Sequence, residues 1–219
     1  VRWMPPTFDS HRRSLVESKP DATYESRHAI LRSPSSGPTR AHVDSPNFSA
    51  WLAREIAACL SDPLGVSCRP LTVVCIGTDR STGDALGPLV GTRLAEWRSV
   101  RDRIHVVGTL DEPVHAGNLR SAIESLGLAK PGVGHVLAID ACLGRVGSIG
   151  YITVGEGPLK PGAGVNKELP PIGDAYITGV VNVGGFMEYL VLQNTRLSLV
   201  IKMADAIARG VVAYVSDPT

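Results

Sequence analysis

From residue 47 onward the hydrophobic positions follow two alternating rhythms. Phe48, Leu52, Ile56, Cys59 and Leu60 recur every three or four residues, the spacing that gathers side chains on one face of a helix. Ser49 is placed to cap that helix and Asp62-Pro63 to end it. Leu71 to Ile76 is instead an unbroken apolar run between Pro70 and Gly77, as in a parallel strand buried on both faces. Ile104 to Val107 and Val136 to Ile139 share that character, and helical patterns over Asp84 to Trp97 and Val114 to Leu126 separate the runs. Strand, helix, strand in alternation predicts an α/β fold: a three-layer, doubly wound, mostly parallel sheet. Ile149 to Val154 and Tyr176 to Val183 read as two further strands, joined by the Gly/Pro-rich loop Gly155 to Gly173. Leu190, Leu197, Ile201, Ala204, Ile207 and Val211 then predict one long helix or two in series between Phe186 and Val215.

Residues 1–46 break this order. They hold six of the 16 prolines, eight serines and one of the 23 glycines, and their few apolar residues show neither period. That composition predicts a disordered tail over 1–46 and a single α/β domain over 47–219. The tail carries seven Lys/Arg against five Asp/Glu, so the domain is slightly acidic within a chain of net charge +1. Such a balance gives no electrostatic footprint for nucleic acid. No apolar run approaches membrane-spanning length, and the first thirty residues lack the apolar stretch of a signal peptide, so no membrane partner and a cytoplasmic location are expected.

In an open parallel sheet the loops leaving the carboxyl ends of the strands build the site. The first, Gly77 to Pro88, is rich in small and polar residues and carries Asp84, which serves either as a helix cap or as a functional carboxylate. It lacks the Lys and hydroxyl of a phosphate loop and the glycine pattern of a dinucleotide fold, so no nucleotide cofactor is expected. The next, Thr109 to His115, offers Asp111, Glu112 and His115. The third opens with Asp140 at the end of a buried strand, where a carboxylate is costly unless a polar site or a donor such as Arg145 receives it. Asp84 and Asp140 together form a pair that shares one proton and activates water, or that holds a divalent cation with His115. Cys59, Cys68, Cys75 and Cys142 have no metal-ligand spacing, and no G-x-S-x-G occurs. In the loop Gly157 to Glu168 proline and glycine shape the backbone for an anion nest, a clamp on a substrate backbone or a plain rigid turn.

The motifs GTDRSTGDALGPLVG, GTLDEPVHAGNL, IDACLGR, GYITVGEGPLKPGAGVNKELP, ITGVVNVGGFMEY and LQNTRLSLV, in this order between Leu71 and Gly210, resemble the YyaC family of spore proteases of endospore-forming bacteria. That family is similar in turn to germination protease and to the hydrogenase maturation proteases. Asp84 precedes Ala-Leu-Gly-Pro and Asp140 precedes Ala141, as the essential aspartates of germination protease do, and Pro161 to Val165 replaces its Pro-Gly-Ser-Gly-Val loop with Ala for Ser. The resemblance implies an endopeptidase with catalytic Asp84 and Asp140; beside them the Gly157 to Glu168 loop, with Gly162, Gly164 and Asn166, is expected to hold the substrate backbone, and Asn182, at the end of a strand, to donate to the oxyanion. It implies a protein or peptide substrate, small acid-soluble spore proteins among them, in the forespore or mother-cell cytoplasm, with no cofactor. The alternatives are a catalytically silent peptide binder and a metal-dependent peptidase of maturation-protease type, although no histidine follows His135.

Overall fold

The computed structural model describes residues 37–61, 70–97, 102–128, 134–161 and 169–216. Its sheet has six strands: β1 (Thr39–His42), β2 (Leu71–Cys75), β3 (Ile104–Val107), β4 (His135–Gly144), β5 (Tyr151–Glu156) and β6 (Ala175–Val183). Their spatial order is β1-β5-β6-β4-β2-β3. β6, β4, β2 and β3 run parallel, while β5 lies antiparallel to both β6 and β1. The helices are α1 (Phe48–Leu60), α2 (Leu86–Glu96), α3 (Leu119–Ser125), α4 (Glu188–Gln193) and α5 (Leu197–Ser216).

Two cores sandwich the sheet and make three layers. On one face Val73, Cys75, Leu137, Ile139 and Ile177 meet Leu52 and Ile56 of α1, Leu86, Val90 and Leu94 of α2, and Met203, Ile207 and Val211 of α5. On the other, Val74, Val136 and Ala138 meet Leu119 and Ile123 of α3, with Leu159 and Ile172 completing the cover. Alternate residues of one strand thus serve both cores, which is why β2 is buried at every position. The continuous apolar run that predicted it follows directly from that double duty.

The chain departs from the sequence expectations in four places. β1 lies within the segment expected as a tail and pairs Thr39 with Val154 and His42 with Tyr151, so the folded unit begins before residue 47. The first 36 residues of that expected tail lie outside the described residues. α1 is preceded by Asn47, not Ser49, at its capping position, in the left-handed region at φ 56° and without a side-chain cap. β4 continues past Ile139 to Gly144, because β6 supplies partners for every added residue across a bulge at Cys142/Leu143. α3 starts only at Leu119: the His115 N–H donates to Asn118 Oδ1 and holds the preceding residues in a turn. The C-terminal pattern takes the expected form of two helices in series, α4 and α5, with Leu190 and Leu197 turned outward.

Candidate functional site

β2 and β4 are neighbours of unequal length. Their pairing ends at Cys75 with Ile139, so Asp140 to Gly144 stand beyond the end of β2. The chain reaches β3 on one side of β2 and β4 on the other, which makes this junction the topological switch point where open α/β sheets bind ligands. The space beside the projecting part of β4 belongs to the loop that leaves β2.

That loop turns at Gly77. Its φ is 147°, and a Cβ there would lie 1.9 Å from the Asp84 carbonyl oxygen, which accepts the Thr78 N–H at 3.2 Å. Only glycine allows the loop to double back so tightly. The Ala85 N–H donates to Ser81 O, and Gly83 N–H reaches Leu192 O at 2.8 Å, so the loop is braced against α4. α2 takes Ala85 as its N-cap, with no side-chain cap bond. The capping role considered for Asp84 is therefore not the one it fills, and its carboxylate is left for other work.

Asp84 and Asp140 come together at this crest. Desolvation by burial pushes Asp140 up to about 8, against a 2.8 Å hydrogen bond from the Ala141 N–H that favours the anion, and repulsion from Asp84 adds to the rise. Asp84 is raised as well, again by desolvation, while the Ser81 hydroxyl pulls it back. Repulsion between two carboxylates is mutual, and the more enclosed Asp140 is the one that gives way.

Cys142 follows Asp140 on the same face of β4. Burial lifts its thiol to about 11, with a hydrogen bond to Thr178 opposing and Asp140 adding to the rise, so it stays protonated at neutral pH and is no thiolate nucleophile. Asn182, expected at its strand end to donate to an oxyanion, has its amide engaged within the chain. Its Nδ2 donates to Val191 O at 3.2 Å and Thr195 Oγ1 at 3.3 Å, and its Oδ1 accepts from the Val183 N–H, so the amide is spent pinning the segment around α4 to the sheet. Gly162, Gly164 and Asn166 lie outside the described residues. His115 sits elsewhere, on a cavity of about 540 Å³ at the β3 edge that is also lined by His105, Thr109, Glu112 and Asn118 but not by either aspartate. Among the described residues no three His, Cys, Asp or Glu side chains gather as a metal-binding group.

Ser81 and Thr178 were missed in the sequence. Ser81 had a signal, its S-x-x-D spacing to Asp84, whereas Thr178 reaches the site only because β6 pairs beside β4. The turn into α4 leaves Phe186 83% exposed, with Met187, Tyr189 and Leu190 exposed around it. No helix among the described residues is long and apolar enough to cross a membrane.

Residues 44–210 match a family described as a protein of unknown function, DUF1256. The chain is 54% identical over 162 residues to the uncharacterized protein YyaC of Bacillus subtilis (strain 168), a match that spans 74% of this chain and 78% of that protein. Among solved structures, the NiFe hydrogenase maturation protease HycI from Thermococcus kodakarensis KOD1 aligns with a TM-score of 0.47 and 20% identity, over 68% of this chain and 94% of the other.

Proposed function

This chain belongs to the DUF1256 family, whose members are described as proteins of unknown function, and from that premise we propose that it hydrolyses peptide bonds with Asp84 and Asp140 as a paired acid and base. The observation that carries the reading is the placement of two desolvated, mutually repelling carboxyls at the switch point of the sheet, with the cap of α2 left to Ala85. At neutral pH Asp140 holds the proton and Asp84 is the anion. Asp84 takes a proton from water as its oxygen bonds to the scissile carbonyl carbon, and Asp140 gives its proton to the carbonyl oxygen. The carbon–nitrogen bond then breaks as Asp84 returns its proton to the departing amine, and the acid formed restores the proton of Asp140. Both carboxyls end as they began.

The substrate class follows from the motifs around the two aspartates, which resemble those of germination protease, and small acid-soluble spore proteins are the first substrates to offer. The exposed apolar residues from Phe186 to Leu190 give a polypeptide something to rest on. Incubation with such a protein, followed by intact-mass analysis, tests the reading. Cleavage is expected from the wild type, with a loss of 10³-fold or more in Asp84→Asn and Asp140→Asn, in the range that such groups contribute. The rate should fall above pH 8 as Asp140 loses its proton. A substrate that stays bound and uncut with the wild type would make this a binding protein; undiminished cleavage by either variant would remove the carboxyl pair from the mechanism.

A further inference from the structure

Ser81 is 5% exposed, and among the described residues its Oγ is the buried side-chain polar atom left without a hydrogen-bond partner. A buried hydroxyl with no partner is costly, and native proteins keep few of them. This one sits three residues before Asp84, inside the turn closed by the bond from the Ala85 N–H to Ser81 O, and close enough to the Asp84 carboxyl to favour its charged form. The unmade bond and the nearby acid are one feature. A neutral carboxyl and a hydroxyl have competing uses for their protons, whereas a carboxylate is an acceptor only and takes the hydroxyl proton outright.

We infer that Ser81 is a positioning residue, whose hydroxyl donates to Asp84 and so fixes Asp84 as the anion of the pair and Asp140 as the holder of the proton. The inference rests on the paired-carboxyl reading and supplies what that reading lacks: a reason for the two aspartates to take different roles. Among the described residues nothing else named against Asp84 does this. From β4 it meets Asp140, a like charge, and from α4 and the residues after it the loop meets the uncharged Leu192 and Thr195. On its own loop Asp79 and Arg80 are exposed. Burial alone would raise both carboxyls and leave the order of proton release to small differences.

The test isolates Asp84 by placing Asp140→Asn in the background and following the side-chain carboxyl by carbon-13 NMR in protein labelled at aspartate. The resonance is assigned by its loss on adding Asp84→Asn. Ser81→Ala is expected to raise the Asp84 midpoint by about one pH unit, the size of one hydrogen bond to a charged group. Ser81→Cys, similar in shape and a poor donor, should do the same, and Ser81→Thr, which keeps the hydroxyl, should restore the original midpoint. An unmoved midpoint in the Ala variant overturns the inference, and so does an equal rise in the Ala and Thr variants, which would trace the effect to packing. In the otherwise wild-type protein, Ser81→Ala should move the acid limb of the peptide-cleavage profile upward by the same amount. Should the wild type cut no peptide at all, the peptidase reading fails while the NMR comparison still decides the role of Ser81.

Discussion

Asp140 shows how one side chain couples stability to proton concentration. In an unfolded chain an aspartate ionises near 3.9, whereas burial holds Asp140 in the folded protein at about 8. Between those values the folded state keeps a proton that the unfolded state has released. Stability is therefore complete below about pH 4 and declines as pH rises toward 8, the reverse of a salt-bridged carboxylate. Asn in place of Asp140 removes the ionisation and keeps the shape. Urea midpoints of the two proteins should coincide at pH 4 and separate at pH 8, with the Asn variant the more stable by on the order of a few kcal/mol. A buried carboxyl that weakens its own fold in this way is a recognised cost where a site needs one. Equal pH dependence in the two proteins would show that Asp140 ionises freely.

Among the elements, α2 is held closer to the sheet than ordinary side chains permit. A Cβ at Gly91 would come within 1.9 Å of Gly108 O, and one at Gly108, itself at φ 93°, within 2.0 Å of Cys75 O. Helix propensity favours Ala over Gly by about 1 kcal/mol, but both atoms in the first contact are backbone and cannot swing aside. Overpacking of about 2 to 3 kcal/mol should win. Gly91→Ala is thus expected to lower the melting temperature, while Gly147→Ala, with nothing within 4 Å of its added carbon, should leave it unchanged. The same scale explains what could be read from the sequence. β2, β3 and α2 were legible because their apolar runs answer to burial alone, and Asp84 and Asp140 stood out as candidates because each is a carboxylate in a loop or strand that follows a buried apolar run. The extension of β4 was not, since Asp140 to Gly144 are strand only by virtue of partners in β6. Nor was the spent amide of Asn182, whose acceptors come from Val191 and Thr195.

Across the whole molecule the sheet closes through pieces far apart in the chain. β1 adds the outermost strand, and the residues just after it are tied down by Val43 N–H to Gly150 O and by the ion pair of Asp44 with Lys202 in α5. Thr39 Oγ1 also donates to Glu55 of α1 at 3.0 Å. Two truncations separate the strand from what precedes it. A chain starting at residue 37 keeps β1, whereas one starting at residue 47 loses it and bares the edge of β5. The second should melt lower than the first and aggregate sooner, by calorimetry and light scattering; equal melting would mean that β1 contributes nothing to the domain.

The packing of α1 on α5 bears on how the protein is made. Leu52 is completely buried and lies so near Gly210 that an added carbon there would fall 2.4 Å from its Cδ2. Of the described elements α1 is made early and α5 after all the others. Until α5 emerges, Leu52 and Ile56 lack much of their cover, and the nascent chain carries an open apolar stripe. A ribosome stalled before residue 197 should display α1 to proteases and chaperones, and one stalled after α5 has emerged should not. The two helices that close this core thus meet only once the whole of residues 48–216 has been made.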